Sequence, residues 1–410
     1  SRRRICWAVA GAGFLSAIGS GHRYLCNAHP IGPLRATMDC ERFVRSSIPG
    51  CRSVTFQNEQ LMGFSGAKVL DVQLDADAEP AEFLFLKVIE PAALPETASD
   101  AERRKWERNL QSYGNELAFF TDQRIQQDLA EHGVRVPKVL GSESHPGQRY
   151  AILTENLKSQ WSTFCVHPAA RSPEVLRWLS SFHRAFQGRI PEKHGLWDFG
   201  THVHLKRRPV GELDLLPQSI SDFCDAFQGE DPFFQRPESR LLGQRLRAVA
   251  SCVAEELTPK PENMQKITMV HGDFKGANYF LKNEGEGCCA FDFQWTGPGI
   301  GATDLIYLFC GSVEDEIVED YQTWLKVYHS HLNMDQYSLD EFLLDFKLAT
   351  LDYARWVFAY RLAGDSPEKF RKRAKNVDVN LGIFRRHVPR IIWLLRLVED
   401  FLPDVEAMCS

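Results

Sequence analysis

Three oxygen-bearing side chains fall within one short stretch of the sequence. Asp273 ends the tripeptide HGD, Asn278 follows five residues later, and Asp292 closes an apolar run nineteen residues after the first aspartate. Transfer of a phosphoryl group from ATP requires a carboxylate to orient the attacking hydroxyl, and oxygen ligands that hold Mg²⁺ on the phosphates. The residue types and their spacing therefore predict a phosphotransferase centre.

Each residue of this stretch is suited to a separate task. Asp273 is the candidate catalytic base, and Lys275, two residues on, is placed to neutralise charge on the transferred group. Asn278 and Asp292 are candidate magnesium ligands. His271 is expected to fix the loop by hydrogen bonds. The alternative is a polar turn without catalytic function, since His-Gly-Asp alone is a common tripeptide.

The elements before residue 158 predict a small α+β lobe. Residues 69–74 and 83–89 have strand character and are separated by an acidic turn, which indicates a hairpin. Residues 101–131 favour a helix, or a broken pair interrupted near Gly114, and residues 134–139 and 150–154 return to strand character. A strand hairpin, a helix and two further strands are typical of an α+β unit.

Beyond Trp161 the pattern becomes mainly helical. Helix-period apolar positions occur in residues 173–186, 239–256, 302–309, 313–331, 338–362 and 386–401. A β-rich island at residues 267–293 interrupts them and contains the candidate catalytic residues. The predicted chemistry therefore lies on loops between short strands, held by a helical scaffold.

The order of motifs resembles that of the aminoglycoside phosphotransferase and choline kinase group, and most of all the ecdysteroid kinase-like (CHK kinase-like) family. HGD with Asn278, then DFQ from Asp292, then DLIYLF from Asp304, follow the order of that family. The resemblance covers about residues 53–309. It implies a bilobal protein-kinase-like fold, Asp273 as base, Asn278 and Asp292 as Mg²⁺ ligands, and Asp304 as the brace of the catalytic loop. Thr303 or Asp304 would also be a good N-cap for the apolar helix that follows.

The resemblance also indicates where a nucleotide would bind. Lys87, a lone lysine in the apolar run FLFLKVI, is the candidate cation for the α- and β-phosphates, unless it is only a strand-edge lysine. Its partner would be Glu116, with Glu102 and Glu107 as competitors. Gly63 and Gly66 lie where a phosphate-covering turn is expected, although a plain hairpin turn explains them almost as well. The backbone of Glu155, Asn156 and Leu157 would bind adenine, unless the segment is only a linker.

Aromatic residues in the C-terminal half suggest an acceptor cleft. Those at helical spacing are Tyr353, Trp356 and Tyr360, with Asp352 and Arg355 beside them, and Trp324 with Tyr328. One interpretation is a cage that holds a cationic acceptor by cation–π attraction, and the other is helix packing in the core. Trp295, directly after DFQ, is the better candidate to line the cleft.

Composition limits the classes of partner. The chain has 410 residues, of which 44% are hydrophobic and 25% charged, and a net charge of −6, which argues against a nucleic-acid-binding protein. The first 38 residues contain no acid, and Arg2, Arg3 and Arg4 precede an apolar stretch that is too short for a confident membrane span. This segment is either a targeting sequence or a disordered tail, and we expect an intracellular protein, cytoplasmic or organellar.

The eleven cysteines show no C-x-x-C spacing, so we expect free, reduced thiols. We divide the chain into residues 1–38, an N-lobe at 39–157 that binds the nucleotide, and a C-lobe at 158–410 with the catalytic loop, metal site and acceptor cleft. The oligomeric state is not predicted by these patterns.

The sequence predicts a kinase that uses ATP and Mg²⁺ to phosphorylate a hydroxyl of a small acceptor such as a sterol, an amino alcohol or a sugar. A protein kinase is the nearest alternative, although Asp304 comes only twelve residues after Asp292 and leaves little room for an activation segment. The second alternative is a regulatory protein that binds a nucleotide but does not transfer phosphate. It is disfavoured because the candidate catalytic residues are all present.

Overall fold

The structure, a computed structural model, describes residues 33–61, 67–75, 83–190, 195–209, 211–332, 336–375 and 380–410. The strands are β1 Ser53–Leu61, β2 Lys68–Asp75, β3 Phe83–Ile89, β4 Val139–His145, β5 Arg149–Glu155, β6 Trp161–Ser162, β7 Ile267–Val270, β8 Tyr279–Lys282, β9 Cys288–Ala290 and β10 Gly297–Ile300. The helices are α1 Pro33–Ser47, α2 Asp100–Thr121, α3 Gln123–Glu131, α4 Ser172–Phe186, α5 Leu216–Phe227, α6 Pro237–Glu256, α7 Ala302–Gly311, α8 Asp315–Glu319, α9 Tyr321–Leu332, α10 Leu339–Trp356, α11 Pro367–Ala374 and α12 Val388–Cys409.

The first five strands form one antiparallel sheet in the order β1-β2-β3-β5-β4. Side chains alternate between the two faces of a strand. In β3 the buried residues Leu84, Leu86 and Val88 therefore pack with Phe43 of α1 in one core cluster. Lys87 points to the opposite face, on which α2 contacts the sheet. The alternation in this strand thus brings a charged group to the inner side of the N-terminal sheet.

Helix α2 is continuous through Gly114, so the interruption predicted there is wrong. The helix begins after Ser99, whose side chain and backbone form a capping box with Glu102. The break comes at Asp122, whose carboxylate accepts hydrogen bonds from the first amides of α3. The strand predicted at residues 134–139 is also wrong, because β4 only begins at Val139.

The remainder of the chain is mainly helical, with two small sheets set among the helices. Strands β6, β8 and β9 form one sheet, and β7 pairs with β10 in the other. The helix predicted at 313–331 is divided into α8 and α9, and the one predicted at 338–362 changes at Val357 to a π-helical turn. Helices α1, α5 and α11 and strand β1 were not predicted. Helix α1 includes residues 33–38, which the predicted boundary had placed in the N-terminal segment.

A small antiparallel sheet region followed by a larger helical part confirms the predicted α+β fold. The helical part has its own packing centre, in which α10 contacts α6, α7 and α12. None of the described helices has both the length and the hydropathy needed to cross a bilayer.

The prediction that the cysteines are free is wrong for one pair. Cys252 at the end of α6 and Cys409 at the end of α12 form a disulfide across 157 positions of sequence. Their separation gives no local signal, because it is the packing of α6 on α12 that brings the two sulfurs together. The other described cysteines are free, and Cys6 and Cys26 lie outside the described residues.

Candidate active site

The HGD loop follows the fully buried strand β7 and is fixed by one carboxylate. The side chain of Asp304 accepts hydrogen bonds from the backbone amides of His271, at 2.6 Å, and Gly272, at 2.9 Å. Gly272 has a φ of +81°, and a Cβ added to it would lie 2.3 Å from the backbone oxygen of Trp295. This turn therefore requires glycine, and it holds Asp273 in one orientation.

Asp273 is an ionised carboxylate with one open oxygen. Its Oδ2 accepts hydrogen bonds from Lys275 Nζ, at 2.8 Å, and Asn278 Nδ2, at 2.9 Å. Its Oδ1 is buried and makes no hydrogen bond of normal geometry with a described residue, although the hydroxyl of Tyr307 lies near enough to this carboxylate to lower its pKa. Burial raises the pKa of Asp273, but the Lys275 ammonium and further neighbours outweigh this effect and hold the pKa well below its ordinary value. The open oxygen is thus a ready acceptor for a hydroxyl proton.

Asn278 and Asp292 are brought together by the β8–β9 hairpin. Tyr279 pairs with Ala290, and the amide of Phe291 donates to the backbone oxygen of Asn278, at 2.9 Å. The residue after Phe291 is Asp292, so the two candidate metal ligands lie at adjacent ends of paired segments. Asp292 also has a φ of +67°, an uncommon backbone conformation for a residue other than glycine. Such strain is found most often at functional sites.

Lys87 connects the N-terminal sheet to the catalytic segments. Its Nζ lies 2.7 Å from Glu116 Oε2 and 2.9 Å from Asp292 Oδ1. Glu102 is used in the cap of α2 and Glu107 is exposed, so among the three candidates it is Glu116 that pairs with the lysine. Burial lowers the pKa of Lys87, but the carboxylates of Asp292 and Glu116 outweigh it and raise the pKa above its ordinary value. The predicted pair is therefore formed, and Asp292 joins it.

The segment after β5 leaves one amide available. The amide of Glu155 donates to Lys138 O and that of Asn156 to Phe83 O, whereas the amide of Leu157 has no partner among the described residues. The carboxylate of Glu155 is itself held by Arg135. The other predicted nucleotide contacts, Gly63 and Gly66, lie outside the described residues.

His271 and Asp304 stabilise the HGD loop by hydrogen bonds. His271 Nε2 donates to Phe291 O at 3.0 Å, and burial lowers the pKa of its ring, which keeps the ring neutral. The expectation that Thr303 or Asp304 caps α7 is wrong, since Gly301 occupies the N-cap and makes no side-chain hydrogen bond. Asp304 stands in the first turn, and its carboxylate bonds to the HGD loop instead.

The aromatic residues predicted on one face of α10 remain neighbours: the rings of Tyr353 and Trp356 are 5.4 Å apart, and Trp356 and Tyr360 both lie near the guanidinium of Arg361. They differ in burial: Trp356 is fully buried, whereas Tyr360, in the π-helical turn that begins at Val357, is 51% exposed. Asp352 and Arg355 pair with each other at 2.7 Å, so this carboxylate is not open to a cationic ligand. The second predicted pair belongs to the core, because the buried Tyr328 bonds to His183.

Trp295 is partly exposed, as expected of a residue that lines a cleft. It stacks on Trp197 with ring centroids 5.6 Å apart, and His202 lies 5.3 Å away on another side. His202 and Tyr307, both near enough to Asp273 to influence its pKa, were missed. Tyr307 stands one helical turn after Asp304 and its position could have been inferred, but no local pattern marks His202.

Comparisons with known proteins give the following likenesses. The structure is similar to that of a microcompartment-associated aminopropanol kinase, with 14% identity, a TM-score of 0.46, and coverage of 90% of this chain and 98% of the other. It is similar to Plasmodium vivax ethanolamine kinase, with 12% identity, a TM-score of 0.40 and 87% of each chain covered. For the choline kinase LicA from Streptococcus pneumoniae the identity is 12%, the TM-score 0.41, and the coverage 88% and 99%.

No curated protein matches the sequence. The sequence profile of the ecdysteroid kinase-like family matches residues 98–340, which is more than half of the chain and contains Glu116 and the segment from the HGD loop to Asp304. The chain therefore belongs to the ecdysteroid kinase-like family.

Proposed function

We propose that this protein is an ATP-dependent kinase that phosphorylates a hydroxyl group of a small molecule. The observation that carries the proposal is the open Oδ1 of Asp273, a buried acceptor whose other oxygen is already held by Lys275 and Asn278. Buried polar atoms in folded proteins nearly always have a partner, and a substrate hydroxyl would supply one. Membership of a kinase-like family supports phosphoryl transfer.

The described residues fit a nucleotide with a divalent cation. They contain no group of three or more His, Cys, Asp or Glu that could hold a metal unaided. Mg²⁺ commonly uses one or two protein ligands and takes the rest from phosphates and water. Asp292 would bind it with the amide oxygen of Asn278, whose nitrogen is engaged with Asp273. When bound, the ion would neutralise charge on the phosphates.

The protein's own groups would then position the reactants. Lys87 would contact the α- and β-phosphates from its place between Glu116 and Asp292, and the free amide of Leu157 would pair with adenine. Asp273 would accept a hydrogen bond from the acceptor hydroxyl and orient its oxygen toward the γ-phosphoryl group. Because the pKa of Asp273 is low, orientation and late proton acceptance fit better than removal of the proton before transfer. Lys275 would stabilise the charge on the transferred group.

In this proposal the N-lobe, to residue 157, binds the nucleotide, and the remainder provides catalysis and the acceptor cleft.

A protein kinase is less well supported. Between Asp292 and Asp304 the chain forms β10, which pairs with β7, and the contact of Trp295 O with the amide of Thr201. These contacts leave no free length for a substrate-binding activation segment.

The test is Asp273→Asn, assayed for magnesium-dependent transfer from ATP to a panel of small alcohols. The variant keeps the shape of the side chain but loses its charge, and turnover should fall about 100-fold or more while nucleotide binding remains. Asp214→Asn, which alters an exposed ion pair with Arg247, is the matched control and should retain activity. Full transfer by Asp273→Asn would exclude the proposed role, and nucleotide binding without any transfer by the wild type would favour a regulator.

A further inference from the structure

A series of aromatic rings extends from Asp273 along the side of the candidate site. Tyr307 lies beside the carboxylate and helps to lower its pKa. The ring of His202 is 5.9 Å from Tyr307 and 5.3 Å from Trp295. Trp356 packs behind both, 5.2 Å from His202 and 5.8 Å from Tyr307. His202 and Trp295 are partly exposed, so these two present the surface that an acceptor would contact.

Several buried polar atoms around these rings have no hydrogen-bond partner among the described residues. They are Oδ1 of Asp273, Nδ1 of His202, Nε1 of Trp356, the hydroxyl of Tyr353 and Nε of Arg108. Burial lowers the pKa of His202 to about 3, so its ring is neutral and can offer one donor and one acceptor. Unpaired buried groups are rare, and five of them around one set of rings indicate that a polar ligand completes the site.

The free charges at this site are positive. The guanidinium carbon of Arg361 lies 4.9 Å from the ring centroid of Trp356, and that of Arg108 lies 6.0 Å from the centroid of Trp295. Neither arginine forms an ion pair with a carboxylate in the described part of the chain, and each is only partly exposed. Arg208 is nearby as well, but Glu212 neutralises it through a bidentate contact.

Two carboxylates near these rings are already in use. Asp273 is paired with Lys275, and Glu212 is shared by Arg208 and Arg355. An ammonium group placed against the partly exposed Trp295 would face Arg108, and like charges at short distance repel. The electrostatics of the described residues therefore disfavour an amino alcohol as the acceptor.

On the basis of the proposed function, we propose that the acceptor is a hydroxyl compound with an anionic group, a carboxylate, sulfate or phosphate, bound by Arg361 and Arg108. Guanidinium groups suit these anions because their N–H fork matches two oxygens at once. The uncharged part of the acceptor lies against Trp295 and His202, and its hydroxyl reaches the open oxygen of Asp273.

The experiment compares acceptors that differ in charge within each of two scaffolds. The sugar series is glucosamine, glucose, glucuronate, glucose 6-sulfate and glucose 6-phosphate. The sterol series is cholate and its neutral methyl ester. Both binding, as a thermal shift in the presence of Mg²⁺ and a non-hydrolysable ATP analogue, and transfer from ATP are measured. Anionic members should bind more tightly than their neutral and cationic counterparts on at least one scaffold. The response to carboxylate, sulfate and phosphate then identifies the preferred anion.

Arg361→Gln and Arg108→Gln test the residues. Each should raise the KM for the anionic acceptor about tenfold to a hundredfold, the range for a lost hydrogen bond to a charged group, with the KM for ATP unchanged. Arg177→Gln, which removes an exposed arginine paired with Glu286, should change neither KM.

Any other pattern overturns the inference. A preference for neutral or cationic members, binding by none of them, or a rise in the KM for ATP instead of the acceptor would each show that the arginines do not select an anionic acceptor. The proposed function is tested separately by the nucleotide: if Mg-ATP binds and an uncharged or cationic alcohol is phosphorylated, only the present inference fails, whereas loss of nucleotide binding removes both.

Discussion

Replacement of Lys87 by methionine tests the connection between the two parts of the site. The side chain of Glu116 is 5% exposed, so without the lysine ammonium its carboxylate would be left buried without an opposite charge beside it. Breaking a buried ion pair by removing one partner is strongly destabilising. Asp292 would suffer less, because a third of its side chain is exposed and water can solvate it.

The size of the effect follows from the protonation of Glu116. The unpaired carboxylate can take up a proton, and the work needed depends on how far the pH lies above the ordinary pKa of 4.5. Protonation costs about 1.4 kcal/mol for each pH unit above that pKa. The loss in unfolding free energy is therefore at most roughly 3 kcal/mol at pH 7 and less than about 1 kcal/mol at pH 5. The sign is fixed by burial, which raises the pKa of Glu116: the destabilisation is absent below pH 4.5 and grows as the pH rises.

The assay is urea denaturation followed by tryptophan fluorescence at pH 5 and pH 7, with Lys87→Met compared with the double variant Lys87→Met/Glu116→Gln. The glutamine is neutral at both pH values, so the double variant should be more stable than the single one at pH 7 and nearly equal at pH 5. Neither variant should transfer phosphate, because both lack Lys87. A difference that does not depend on pH, or a double variant no more stable than the single one at pH 7, would refute the reasoning.

Three further predictions concern the loop, the disulfide and the metal. Gly272→Ala should destabilise the protein and lower turnover, because its Cβ would meet the backbone oxygen of Trp295. The loss should exceed the roughly 1–2 kcal/mol that a left-handed backbone conformation alone costs an alanine. Gly147 has a similar φ of +75° and open space around it, so Gly147→Ala is the control and should show only the backbone cost. Reductant should lower the thermal midpoint of the wild type, because loss of the disulfide should reduce the free energy of unfolding by roughly 2–5 kcal/mol. The double variant Cys252→Ser/Cys409→Ser should not respond to reductant. An equal response from both proteins would mean that the bond does not stabilise the fold. EDTA should abolish transfer and added Mg²⁺ should restore it, whereas full transfer in EDTA would contradict metal dependence.

The loop that contains Asp273 was predictable because its determinants are adjacent in sequence. A hairpin returns the chain over a short distance, so the spacing from Asp273 to Asn278 and on to Asp292 was enough to place these side chains together. The resemblance to the family singled out Glu116 as the partner of Lys87, whereas the residues alone left Glu102 and Glu107 as competitors. Which glutamate reaches Lys87 depends on how α2 packs on the sheet. Glu102 is excluded because it caps α2, but this is known only once the first residue of the helix is known.

The acceptor side shows the limit of helical periodicity. Helical spacing groups Trp356 with Tyr360, but Trp356 is fully buried and Tyr360, in the π-helical turn, is 51% exposed, a difference that the spacing does not predict. The turn also brings Arg361 over Trp356. Of the two interpretations that the spacing left open, packing in the core holds for Trp356, and beside it the structure has an arginine without a carboxylate partner among the described residues.

The sequence by itself determined the α+β class, the strand that carries Lys87, and the catalytic loop, since alternation, helical period and short spacing act between residues close in the chain. Only the tertiary structure decided the Cys252–Cys409 bond, the position of Lys87 between its predicted partner Glu116 and Asp292, and the charges around Trp295. These pairs are between 29 and 205 positions apart in sequence. They depend on how whole helices and sheets pack, which no local pattern of residues encodes.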